Sequence, residues 1–162
     1  EVNLRLQPGH WEVDSVASRR PKLTALAVTL ERTSRLIHVT KLKRRTSLRF
    51  SNALVKSLSR YPDHLRRTIT YDNGSENVHH QRTNEKLGTQ SYFCRPYHSW
   101  EKGSVEQVIG LIRRYVPKKT DFTKVTVREI NRIENLLNNR PRKCLNFATP
   151  SEVFKAHVAL PR

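Results

Sequence analysis

The 162-residue chain carries 31 Lys and Arg against 14 Asp and Glu, a formal charge of +17, with 36% hydrophobic and 7% aromatic residues. That is enough for one domain with a real core, no apolar run approaches the roughly 20 residues a bilayer span needs, and the opening E-V-N-L-R is not a signal peptide. So large a basic excess, scattered rather than gathered on one amphipathic helix, points to nucleic acid and not to a membrane.

The chain contains no Met, which reads as a domain cut from something longer. Cys94 and Cys144 stand far apart with no C-x-x-C. They offer no structural zinc site and read as free thiols.

In chain order, "HWEVDSV" (10–16) alternates, "LTALAVTL" (23–30) is nearly continuous apolar sequence, and "RLIHVTKL" (35–42) is rich in branched residues. These predict three strands in an antiparallel meander. Phe50, Leu54, Leu58 and Tyr61 recur at helical spacing, and Pro62-Asp63 ends that helix. A fourth strand (68–71) delivers Asp72 into the turn Asn73-Gly74. A weaker helix then runs to Gly88, and "QSYFC" (90–94) makes a fifth strand. A long helix spans 103–116, with an apolar stripe of Val105, Val108, Ile109, Ile112, Tyr115 and Val116, and Ser104 with Gln107 fits a capping box at its start. Thr126–Glu129 and Thr149–Glu152 are two further capping boxes, the second with Pro150 at the favoured first helical position. The order β-β-β-α-β-α-β-α, then helices, predicts an α/β domain with a mixed sheet flanked by helices.

Three acids stand out from those on presumed surface helices. Asp14 lies toward the end of the first strand, Asp72 ends the fourth, and Glu106 sits in the first turn of the long helix on its polar face, with Gly110, Arg113 and Arg114. Gathered together, such carboxylates repel by about 1–4 kcal/mol per close pair, so a cluster implies a cation. Hard oxygen ligands in a basic, phosphate-binding setting imply Mg²⁺ or Mn²⁺. Two such ions ~3.5–4 Å apart serve phosphoryl transfer. Taken singly each acid also has an ordinary reading: a polar strand residue, a turn residue and a helix-start acid.

The motifs "GHWEVDSV", "TYDNGSE", "YFCRPYHSWEKGSVEQVIGLIRRYVPKKTDF" and "LNNRPRKCLNFATPSEVF" occur in an order and spacing covering residues 9 to 155. Together they resemble the catalytic core of an insertion-sequence transposase of the IS-thirty family, in the integrase-like Asp-Asp-Glu group. The resemblance implies a ribonuclease H-like fold with a five-stranded sheet, and a single core domain over 1–162 whose N-terminal DNA-end-binding region is absent. It implies Asp14, Asp72 and Glu106 as catalytic metal ligands for Mg²⁺ or Mn²⁺, with two ions. The implied chemistry is metal-dependent hydrolysis at transposon ends, then attack of the freed 3′-hydroxyl on target DNA. No covalent protein–DNA intermediate is implied. The triad Glu of such proteins is often followed by Asn, whereas Gln107 stands here and keeps an amide. The resemblance further implies a homo-oligomer on DNA and a bacterial cytoplasmic, nucleoid-associated protein.

Lys102, Arg113, Arg114, Lys118 and Lys119, then Arg140, Arg142 and Lys143, are the candidate phosphate contacts. Tyr97 and Trp100 either stack on a base or form a lid over the start of the long helix. His98 either orients a phosphate or water or is a plain loop residue, and His79-His80 reads as surface. Glu76, four residues after Asp72, is a neighbour that could imitate the third acid. Two other functions compete: a catalytically inert DNA-binding domain, and a related nuclease that only hydrolyses.

Overall fold

The computed structural model describes residues 7–19, 23–95 and 103–159. Its strands are β1 (His10–Ala17), β2 (Ala25–Glu31), β3 (Ile37–Leu42), β4 (Thr68–Tyr71) and β5 (Gln90–Phe93). Its helices are α1 (Ser47–Leu58), α2 (His80–Leu87), α3 (Gly103–Ile112), α4 (Val127–Asn138) and α5 (Pro150–Ala159). The strands form one sheet in the order β3-β2-β1-β4-β5. β1, β2 and β3 are the expected antiparallel meander, while β4 runs parallel to β1, and β5 parallel to β4.

Both faces of the sheet are covered, which is why β2 is apolar almost throughout and buried at every position. Ala25 and Ala27 join Trp11, Val13, Ile69 and the α1 residues Phe50, Leu54 and Leu58 on one side. Leu26, Val28 and Leu30 join Val16 and the stripes of α3 and α4 (Val105, Val108, Ile112; Ile130, Ile133, Leu137) on the other. Alternation along β1 therefore turns Trp11 and Val13 toward α1 but Glu12, Asp14 and Val16 toward α3.

Local sequence sets the helix limits. Thr46 accepts a hydrogen bond from Arg49 N at the start of α1, and Gly88 closes α2 at φ 65°. Both later capping boxes form: Thr126 with Glu129, and Thr149 with Glu152. The helix predicted over 103–116 stops at Ile112. Pro117 disfavours the helical region for the residue before it, and 113–115 become turns with Tyr115 45% exposed rather than part of the stripe. The predicted Ser104–Gln107 capping box does not form. Ser104 is already inside the helix, and its buried Oγ has no hydrogen-bond partner among the described residues.

The free edge of β3 is sealed by side chains of α4. Asn138 Oδ1 accepts from Ile37 N and its Nδ2 donates to Ile37 O, both at 2.9 Å. Glu134 Oε2 accepts from Val39 N at 2.7 Å. The turn after β2 is built around a buried carboxylate, Glu31, which accepts from Gly9 N, Ser34 N and Ser34 Oγ.

Candidate metal centre and nucleic-acid interface

The parallel ladder between β1 and β4 pairs Glu12 with Thr70 and goes no further. Two positions on, past the last pair, stand Asp14 and Asp72. The register thus brings two acids abreast just past the end of the parallel ladder. Carboxylate oxygens of Asp14, Asp72 and Glu76 lie within 4.8 Å of one another. Each of these acids is half-buried.

Neighbouring donors hold each acid in place. Asp14 Oδ1 accepts from Ser15 N at 2.7 Å. Asp72 Oδ1 accepts from Gly74 N at 3.0 Å and from Asn77 Nδ2 at 2.7 Å, an Asx-type turn that locks Asn73-Gly74 behind it. Glu76 Oε1 accepts from Ser15 Oγ at 2.7 Å and from Arg45 Nη2 at 3.2 Å. Burial pushes the Glu76 carboxyl upward, but the hydrogen bonds from Ser15 and Arg45 and the charge of Arg45 outweigh it, so the group lies below its ordinary value. Hard, ionised oxygens gathered in this way suit a divalent cation of the Mg²⁺ type.

Glu106 is exposed in the first turn of α3 and is not within that cluster among the described residues. Glu76 and Glu106 reach this end of the sheet from different layers. Glu76 lies in a short 3-10 turn packed on α1, whereas α3 packs across β1 and β2 on the face to which Asp14 points. Sequence reasoning placed Glu76 as a neighbour of Asp72, and the turn chemistry of D-N-G-S-E-N is the signal that brings it back toward the site.

The basic candidates divide. Arg114, Lys118, Lys119, Arg140 and Lys143 are exposed. Arg113 is held to the protein body: its guanidinium donates to Ala17 O and lies 5.7 Å over the Phe122 ring. Arg142 and Lys143 line a cavity of about 280 Å³ with Arg35, Ser104 and Gln107. Burial, with the positive charges of Arg140 and Arg35 adding to it, lowers the Arg142 guanidinium below its ordinary value. Crowded cations at the foot of α3 favour an anion there. Lys102, Tyr97, His98 and Trp100 lie outside the described residues. His80 is not simple surface, since its ring packs against Phe93 and Tyr71. Cys94 is buried and Cys144 exposed, and neither is in a disulfide.

Residues 5–99 match the integrase core domain family. The chain belongs to it. The motif resemblance to insertion-sequence transposases also holds. The chain is 42% identical over 154 residues to the transposase for insertion sequence element IS4351 of Bacteroides fragilis, covering 95% of this chain and 47% of the relative. It is 37% identical to the transposase for IS1086 of Cupriavidus metallidurans and 36% identical to transposase InsI for IS30A of Escherichia coli K12, covering 99% and 98% of this chain but 47% and 41% of those proteins. The integrase core chain thus spans less than half the length of these relatives.

Among solved structures, it superposes with a TM-score of 0.76 on a chain of the simian T-cell lymphotropic virus intasome in complex with PP2A regulatory subunit B56 gamma. The identity is 20%, over 97% of this chain and 56% of that one. Against the catalytic core domain of BIV integrase the TM-score is 0.68 at 19% identity, over 92% and 95%. The fold of this integrase core is therefore the expected ribonuclease H-like one. No helix among its described residues is long and apolar enough to cross a membrane.

Proposed function

We propose that this integrase core is the catalytic part of a DNA transposase, performing metal-dependent phosphodiester hydrolysis at transposon ends and transfer of the freed 3′-hydroxyl into target DNA. The observation that carries this reading is the gathering of the Asp14 and Asp72 carboxylates just past the parallel β1–β4 ladder in a chain of charge +17. Residues 1–162 act in this proposal as a single core, with recognition of transposon ends supplied by sequence outside them and a homo-oligomer assembling on DNA.

Asp14 and Asp72 would hold Mg²⁺ or Mn²⁺, with Glu106 the third acid that the family resemblance implies. Bound ions supply activation of the attacking oxygen and stabilisation of the leaving one. The protein's own part is positional. Ser15 N, Gly74 N and Asn77 Nδ2 donate to the two aspartates and fix them in place, and hydrogen bonds of this kind orient metal ligands. Arg114, Lys118, Lys119, Arg140, Arg142 and Lys143 would take the DNA backbone, fixing its register without reading bases.

Three variants test the assignment: Asp72→Asn, Glu106→Gln and Glu76→Gln, each assayed with Mn²⁺ for cleavage of a labelled end and for joining of a pre-nicked end. Loss of metal-dependent cleavage of about 10³-fold or more with DNA binding retained is expected for Asp72→Asn and Glu106→Gln. Cleavage surviving in Glu106→Gln but not in Glu76→Gln would transfer the third-acid role to Glu76. Hydrolysis without joining would make the protein a nuclease, and no reaction in wild type an inert DNA-binding domain.

A further inference from the structure

Glu12 stands two residues before Asp14 on the same face of β1, and it is completely buried. Its Oε2 accepts from Val105 N at 2.8 Å, across 93 positions of sequence. Its Oε1 lies 2.9 Å from Arg32 Nε in an ion pair whose side chains are 1% and 7% exposed. Arg32 is anchored in turn by its own backbone, which donates to His10 O at 2.9 Å. A buried ion pair is a poor device for stability alone, since apolar residues of similar volume do as well or better. What it supplies here is a charged acceptor at one fixed place. The first amides of a helix lack partners inside the helix and carry its positive end. In α3 the expected capping side chain, Ser104 Oγ, has no hydrogen-bond partner among the described residues. The strand that carries Asp14 therefore reaches over and holds the amide of the residue immediately before Glu106.

We propose that Glu12, braced by Arg32, is a positioning residue for the metal centre: its carboxylate sets where α3 begins on β1, and so where Glu106 stands relative to Asp14. The inference rests on Glu106 being the third acid. One turn of the helix later, the packing of Val108 and Ile112 would still hold α3 to the sheet. Loss of the Glu12 contact should thus loosen the first turn and leave the body of the helix docked.

The test separates the acceptor from the ion pair in the 162-residue chain. Glu12→Leu/Arg32→Met removes the charges and the acceptor together, and Glu12→Gln/Arg32→Gln removes the charges but leaves an amide oxygen for Val105. Glu12→Asp keeps the charge and draws the acceptor back by one methylene. Each variant is read by hydrogen exchange at the Val105 amide, and by Mn²⁺ titration with electron paramagnetic resonance in the presence of a short DNA duplex.

The apolar pair and Glu12→Asp are expected to exchange at Val105 about tenfold faster than wild type and to bind Mn²⁺ about tenfold more weakly, while the Gln pair stays within about threefold on both. If the apolar pair does not fold, Glu12→Asp against the Gln pair gives the same comparison. Wild-type Mn²⁺ affinity in the variants that lose Val105 protection, with Glu106→Gln impaired, overturns the positioning role alone. Wild-type affinity in Glu106→Gln overturns the third-acid reading and the role built on it. The Val105 exchange then still reports whether Glu12 caps the helix.

Discussion

Gly74 shows how tightly the acids are set. A Cβ at this position would meet Glu76 Oε2 at 2.8 Å and Asp72 Oδ1 at 2.9 Å, so the backbone passes between two carboxylates with room for hydrogen only. Glu76 Oε2 can turn while Oε1 keeps its bonds from Ser15 and Arg45, but Asp72 Oδ1 is held by Gly74 N and Asn77 Nδ2. Gly74→Ala should therefore cost at most about 1 kcal/mol of stability, since its backbone angles are ordinary. Mn²⁺ affinity should nevertheless fall roughly tenfold. Thermal melts beside a Mn²⁺ titration check this, and an unchanged affinity would mean that the Asp72–Glu76 spacing does not matter to the metal. At this scale the sequence was partly legible. Asp14 and Asp72 stood out as candidates from strand ends and turn chemistry, but their assignment as metal ligands came from the family resemblance. Glu12 and Glu31 gave no signal, because an acid in an alternating strand looks like a solvent-facing residue until its partners Arg32, Val105 and Ser34 are known.

Among the elements, α4 shows what local sequence reveals and what it hides. Its capping box was readable, because it depends on residues within one turn of one another. The use of Asn138 was not, since it bonds Ile37 from 101 positions away. An unpaired strand edge is a template for unwanted pairing, and here Asn138 and Glu134 occupy it as a neighbouring strand would. Asn138→Leu should destabilise the fold by about 1–3 kcal/mol for each backbone group it leaves unpaired. Asn138→Asp, which keeps the acceptor and loses the donor, should cost less. Urea unfolding distinguishes the two, and equal midpoints would show that water replaces the side chain at no cost. The end of α3 illustrates the converse error. Its apolar spacing continues to Val116, yet Pro117 and the carbonyl contacts of Arg113 convert the last turn into irregular chain.

For the whole molecule, +17 is a statement about association and its salt dependence rather than about fold. If the exposed cations neutralise phosphates, DNA affinity should drop by at least about tenfold between about 50 and about 200 mM salt, with similar slopes for unrelated duplexes. A flat salt response in a filter-binding or fluorescence-anisotropy titration would assign the excess charge to solvation instead. The sheet at the centre of this charge has a further consequence. Asp14 comes abreast of Asp72 because Glu12 pairs with Thr70, and a ladder can be displaced only by whole residues, each single step turning every side chain to the opposite face. The separation of the two aspartates is therefore not a quantity that drift can adjust gradually. An insertion or deletion of one residue between Gly9 and Asp14 either is absorbed locally, before the first paired residue or in a bulge, leaving the two aspartates abreast, or moves the strand one notch and parts them.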